Sequence, residues 1–248
     1  MGSQLTEGPL GKTDWRHSHY LFHVHTSHTD GDLSAAQYVD FAAAAGAGTV
    51  VFLEHIRREP RYDVERFAAE VKHAGRGSVR TMLGFEAKLL PDGTLDINEE
   101  CLASAAVIGI AEHAFPNDRG LLCDTFLNVI RTYPRRWPLV TFAWVHPGLW
   151  YLKRHLAYEG DEAFQQMLAE ACAAGVLIEQ NLRYSLPSRI TTARLLAQSL
   201  VTGADAHSLL DLERWAAQHP STRPAESCLE KAPDLPLEPD AEMGVALP

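Results

Sequence analysis

The chain has 248 residues, 46% of them hydrophobic and 22% charged, with a formal net charge of −10. That length and composition fit one large α/β domain or two small ones. No apolar run approaches the ~18 residues a membrane span needs, and the acidic balance speaks against a protein that lives on nucleic-acid backbones.

The start, MGSQLTEGPLGKTDW, lacks a basic segment followed by an apolar one, so no secretory signal is read there. Residues 1–18 are polar and expected to be flexible. Tyr20–Val24 reads as a strand that ends in histidines. Ser34 is placed to cap an alanine-rich helix that stops at Gly46 and Gly48. TVVFLEH, from Thr49, is a buried strand with its polar residues last. A helix is expected from Arg61 to His73, then a strand, VRTMLGFEA, again closing on an acid.

The same layout recurs downstream. SAAVIGIAEH ends in Glu112 and His113, Phe126–Thr132 reads as helix, and LVTFAWVHP ends in His146. Asp161–Ala174 reads as a helix followed by the strand VLIEQN, and Ile190–Ser199 as a helix followed by LVTGADAH. Alternating strands and helices with short links predict a parallel sheet with helical crossovers. A polar residue at almost every strand end favours a closed β/α barrel, which gathers its chemistry on one face, over an open sheet with a single switch point. From Pro220 the chain is rich in proline and acid and reads as a disordered tail. Cys101, Cys123, Cys172 and Cys228 form no CxxC pair and read as free thiols of a cytoplasmic protein.

The strand ends collect His23, His25, Asp30, Glu54, His55, Glu86, His113, His146, Asp205 and His207. Imidazoles and carboxylates without cysteine suit Zn, Mn or Fe, and a carboxylate can bridge two ions. Alternate residues of a strand share a face, so His23 and His25, or Asp205 and His207, can reach one ion together. A single histidine at a strand end is usually a hydrogen-bonded or surface residue. That reading is kept for His17, His19, His73, His155 and His219, which follow no apolar strand. Six strand ends with ligand-type residues make a site the better account of the rest.

The ordered set HxHTxxxDG (His23–Gly31), Glu54-His55, Gly84-Phe85-Glu86, His113, His146-Pro147, Glu179-Gln180-Asn181 and GxDAH (Gly203–His207) resembles the PHP superfamily, which includes histidinol phosphatases and polymerase-associated phosphoesterase domains. The resemblance covers roughly residues 20–210. It implies a distorted seven-stranded β/α barrel with two or three divalent transition-metal ions. His23, His25, Glu86 and Asp205 would hold one ion. Glu86 would bridge to a second, held with His113 and His146. Asp30, His55 and His207 would hold the third. The implied reaction is hydrolysis of a phosphate ester by a metal-bridging hydroxide, with Glu86, Asp205 and His207 as catalytic residues. Leu53-Glu54-His55 departs from the usual Thr-Asp-His, and the extra methylene of Glu54 is expected to shift or weaken the third ion. His28 is given no role.

Arginine matches phosphate oxygens and stays charged. Arg57, Arg58 and Arg183 are the candidates for substrate binding, with Lys88 a weaker one. Trp150 and Tyr151 either wall the pocket or simply pack a loop. The expected function is hydrolysis of a phosphate monoester of a small metabolite. The alternatives are a phosphodiesterase or exonuclease, and a non-catalytic module. The expected partner is a small phosphorylated substrate rather than nucleic acid or membrane, and the oligomeric state is not legible.

Overall fold

The computed structural model describes residues 19–218 except 76, 194 and 196. The expected flexible start, the Pro/acidic tail and Cys228 lie outside the described residues. The strands are β1 (Tyr20–Val24), β2 (Thr49–Phe52), β3 (Glu54–Ile56), β4 (Arg80–Met82), β5 (Gly84–Lys88), β6 (Val107–Ala111), β7 (Thr141–Trp144), β8 (Leu177–Asn181) and β9 (Leu200–Ala206). The helices are α1 (Ala35–Ala44), α2 (Val64–Ala74), α3 (Glu99–Ser104), α4 (Arg119–Arg136), α5 (Leu149–Leu152), α6 (Glu162–Ala173), α7 (Arg189–Thr192) and α8 (Leu209–Gln218).

All strand pairs are parallel, in the order β3-β5-β6-β7-β8-β9-β1-β2-β4. The two ends of that order meet. β2 pairs with β4 (Thr49 opposite Arg80) and β3 with β5 (Glu54 opposite Phe85), at the same sequence offset. Leu53 and Leu83 are therefore interruptions within two longer strands, and the ring closes as a seven-stranded barrel. Its interior is filled by Phe22, Val51, Leu53, Val107, Ala143, Val145, Leu177 and Val201. A larger apolar layer packs the helices onto the outside of the ring.

Capping follows the sequence. Ser34 caps α1 in a reciprocal box with Gln37, and Asp63, Asn98, Asp118 and Asp161 each accept a backbone N–H at the start of α2, α3, α4 and α6. Three of the expected helices differ from expectation: α2 starts at Val64, after its Asp63 cap, and not at Arg61. α4 begins earlier, at its Asp118 cap, and runs past Pro134, because a proline in the last turn disturbs only the carbonyl of Ile130. The helix expected over residues 190–199 is reduced to α7 and a short 3-10 turn at Ala197–Ser199. Its two β-branched threonines are weak helix formers, and Ile190 is left 68% exposed, so packing does not rescue the segment. Among the described residues no helix is long and apolar enough to cross a membrane, and Cys101, Cys123 and Cys172 are free.

Candidate metal centre

The polar strand ends meet at one mouth of the barrel. Three of the residues there hold left-handed backbone: His23 (φ 68°), His146 (φ 35°) and Asp205 (φ 49°). Such conformations cost non-glycine residues roughly 1–3 kcal/mol and persist where the surroundings over-determine them. At His23 the cause is a bulge, since the pairing of β1 shifts between Phe22 and Val24 against both neighbours. His23 and His25 do converge, with ring centroids 4.9 Å apart. They do so through the bulge and not through the simple alternation expected of HxH. The following loop is drawn tight at Gly31, where a Cβ would stand 2.0 Å from the His25 carbonyl oxygen, and this turn carries Asp30 to the mouth.

Glu86 lies at the centre and is almost fully buried. Its Oε2 is 3.2 Å from His23 Nε2, 3.5 Å from His25 Nε2 and 3.6 Å from His55 Nδ1. Its Oε1 is 3.3 Å from His146 Nε2 and 4.0 Å from His113 Nδ1. Asp205 Oδ1 is 3.5 Å from His25 Nε2 and 3.7 Å from His23 Nε2. Asp30 faces His55 Nε2 at 3.3 Å and His207 Nε2 at 3.5 Å. Three groups have donor atoms within 4.8 Å of one another: His23, His25 and Glu86; Glu86, His113 and His146; and His25, Asp30, His55 and His207. Eight of the nine residues expected as ligands fall in these groups, with Glu86 and His25 each in two; Asp205 is in none of them and lies beside His23 and His25.

The donor set fits a cation. Both ring nitrogens of His25 and the Nδ1 atoms of His113 and His146 are buried without a hydrogen-bond partner, an arrangement that folded proteins avoid unless something else uses the lone pairs. Burial together with neighbouring imidazoles lowers His25 and His113 to about 3, so both are neutral. Burial also opposes charge on His23 and His146, but carboxylates outweigh it: Glu179 and Asp205 raise His23 well above the ordinary value, and Glu86 raises His146 to about 9. Glu86 itself, despite burial, is held well below the ordinary range by His146 and His23.

The metal-free fold therefore carries protons on His23 and His146 at pH 7, and a cation must displace them. Metal uptake at pH 7 is expected to release about two protons. The sign for stability is opposite in the two states. The raised His146 stabilises the metal-free fold fully below about pH 6.5, and this is lost as pH rises through about 9; the raised His23 acts in the same direction. Apparent metal affinity rises over that window. Calorimetric titration in buffers of different ionisation enthalpy measures the proton count, and uptake without proton release would contradict this arrangement.

Buried carboxylates position the donors from behind. Glu179 Oε1 accepts from His23 Nδ1 at 2.6 Å, which fixes Nε2 toward Glu86; its Oε2 accepts from the His146 backbone N–H at 2.5 Å and from Asn181 Nδ2 at 3.1 Å. Asn181 also donates to Asp205 Oδ2 at 3.1 Å. Glu112 accepts from Trp144 Nε1 and from the backbone N–H of Gly148 and Trp150, and so clamps the segment that bears His146. Glu54 accepts from the Thr26 N–H at 2.8 Å and from the Thr26 and Thr29 hydroxyls. Its longer side chain braces the loop that bears Asp30 and belongs to none of the three donor groups. Sequence reasoning gave Glu179 and Glu112 no role, although a carboxylate inside or closing an apolar strand was a visible sign.

The substrate-binding expectations divide. Trp150 is not a pocket wall: it is 1% exposed, its indole N–H donates to the carbonyls of Phe115 and Pro116, and Arg154 stacks on it. Tyr151 is likewise buried and donates to Asp161. Arg58 turns away to Asp92 and Thr94. Arg57 and Lys88 line a cavity of about 620 Å³ at the mouth, together with His28, Thr29, Asp30, His55, Glu86 and His113. Sequence reasoning missed Arg61 and Tyr62, which line it too. His28 is tied to Glu70 at 2.8 Å. Arg183 lies against His207 Nδ1 and donates to the Asp205 carbonyl at 3.3 Å.

No family model matches the chain, and neither does any curated protein. Among solved structures it is similar to an amidohydrolase from an environmental sample of the Sargasso Sea (13% identity, TM-score 0.42, 82% of this chain and 60% of that one). It is similar to a D-hydantoinase from Bacillus sp. AR9 (15%, 0.37, 75% and 45%) and to a dihydropyrimidinase from Brevibacillus agri (11%, 0.36, 73% and 49%). The chain thus spans about half the length of these structures. At such scores the likeness carries no functional argument, and function is read from the site.

Proposed function

We propose that the chain is a metal-dependent phosphoesterase of the PHP type, acting on a phosphate monoester of a small metabolite: water and the monoester give the free alcohol and inorganic phosphate. The observation that carries this reading is Glu86, one buried carboxylate within 4.0 Å of five imidazoles at a cavity mouth that also presents arginine and lysine. A neutral substrate would have no use for that cationic wall. His23, His25, Glu86 and Asp205 would hold one ion, Glu86, His113 and His146 a second, and Asp30, His55 and His207 a third.

Bound Zn, Mn or Fe would supply Lewis acidity and an acidified water. The residues of the chain do the rest. Glu179 holds His23 in the tautomer whose Nε2 faces the centre. His207 presents its Nε2 lone pair only when Nδ1–H donates to the Asp205 carbonyl, 3.1 Å away. In that tautomer Nδ1 no longer accepts from Arg183, whose guanidinium stays held by the Asp205 carbonyl and beside Asp211 and turns its remaining N–H groups to phosphoryl oxygens. An arginine placed there meets the charge that develops on those oxygens.

The test is p-nitrophenyl phosphate against bis-p-nitrophenyl phosphate, with Mn, Zn or Fe and with excess EDTA. Monoester hydrolysis abolished by EDTA is the expected result. Preference for the diester would move the reading to a phosphodiesterase. A purified protein with neither bound transition metal nor activity would leave a non-catalytic module.

A further inference from the structure

The cavity at the mouth is larger and more cationic than one phosphoryl group requires. Its volume of about 620 Å³ falls within the ~300–1,000 Å³ of sites that enclose a whole small molecule. Its residues form two layers. His55 on β3 is in register with Glu86 on β5. Continuing that register outward, the next residues on the same face are Arg57 and Lys88, roughly 6.6 Å further along the strands. Arg61, in the loop that leads to α2, adds a third cation to the same cavity.

None of these three side chains has a hydrogen-bond or ion-pair partner among the described residues. The adjacent Arg58, which does not line the cavity, is paired with Asp92 at 3.3 Å. The contrast is informative because the chain has 32 acidic residues against 22 lysines and arginines. Carboxylates are abundant, and Asp30 and Glu86 line the same cavity, yet among the described residues none pairs with these three side chains.

We infer that Arg57, Arg61 and Lys88 form a subsite for a second anionic group. The substrate of the site is then a phosphomonoester that also bears a phosphate or a carboxylate several ångströms from the scissile group. The inference rests on the phosphatase reading above and narrows its substrate class. The inner layer takes the phosphoryl group that is cleaved, and the outer layer takes the group that is kept.

Paired substrates that differ by one anionic group test this: 3-phosphoglycerate against glycerol 3-phosphate, and glucose 1,6-bisphosphate against glucose 6-phosphate. The wild-type protein is expected to prefer the two-anion member of each pair by about tenfold or more in kcat/KM, the scale of charge-assisted contacts to one anionic group. Arg61→Ala, in an exposed loop, is expected to lower that ratio several-fold, mainly through KM. A ratio near one in the wild type, or a ratio untouched by Arg61→Ala and Lys88→Ala, would overturn the subsite. Calorimetric binding of phosphonoacetate, whose C–P bond is not an ester, and of inorganic phosphate reads the same subsite without turnover. Tighter phosphonoacetate binding that Arg61→Ala abolishes supports the subsite. Equal binding refutes it even if monoesters are hydrolysed. Failure to hydrolyse any monoester, with the binding difference intact, would refute the phosphatase reading alone.

Discussion

Replacing Glu86 with alanine is expected to remove both bound metal and hydrolysis. Among the described residues its carboxylate alone faces His23, His25, His55, His113 and His146 together, so its loss strips a ligand from two of the three donor groups at once. The fall in metal affinity should exceed the ~10–100-fold that follows loss of an outer hydrogen-bond partner. Glu86→Ala also leaves protonated His146 without its nearest carboxylate, while His23 keeps Glu179, and removing one partner of a buried pair costs about 3–5 kcal/mol. Glu86→Gln separates the two effects. It keeps the volume, removes the charge, and should fold while still losing metal. Metal content by mass spectrometry, p-nitrophenyl phosphate turnover and thermal melting check each part. A Glu86→Ala protein with full metal and full activity would show that the centre has been assigned to the wrong residues.

The barrel was legible because each strand is a short apolar run closed by a polar residue, and that layout has few solutions once strands alternate with helices. Its interruptions at Leu53 and Leu83 were not. TVVFLEH and VRTMLGFEA read as single strands, and in register they are. The breaks arise from packing inside the ring: a Cβ on Gly84 would meet the carbonyl oxygens of Phe52 and Val107 at 2.6 Å, and Leu53 fills the space beside Gly84 and Gly109. Such fits depend on which residues face one another across the barrel, and spacing along one strand does not encode that.

At the centre, the residue types announced the donors but not how the backbone delivers them. HxH suggested a regular strand, while His23 reaches the centre through a bulge with left-handed φ. Trp150 looked like a pocket wall because it follows His146 closely. Its indole N–H instead finds backbone carbonyls, which a buried tryptophan needs, and that need outweighs proximity in sequence. Glu54 was expected, through its extra methylene, to shift or weaken the third ion. Its extra methylene takes it to Thr26 and Thr29, so the departure from the usual motif became a brace for the loop.

Gly203 is expected to be as intolerant of a methyl group as the donors are of removal. β9 runs beside β8 with Gly203 opposite Asn181. A Cβ there would lie 1.6 Å from Glu179 Oε1, 2.4 Å from its Cδ and 2.7 Å from its Cγ. Neither side can yield easily, because Glu179 is fully buried and its two oxygens hold His23, the His146 backbone and Asn181. Gly203→Ala should therefore expel the carboxylate and lower metal affinity about 10–100-fold, as loss of an outer partner does, with an overpacking cost of about 1–3 kcal/mol. Glu179→Ala alone should lower metal affinity by a similar factor without the overlap. The two changes act on one contact, so their effects should not add. Gly203→Ala should destabilise less in the Glu179→Ala background, because the atoms it strikes are gone. Melting curves and metal titrations of the two single variants and the double variant measure this. Additive losses, or a Gly203→Ala protein that melts and binds metal like the wild type, would mean that Glu179 does not occupy the place behind His23.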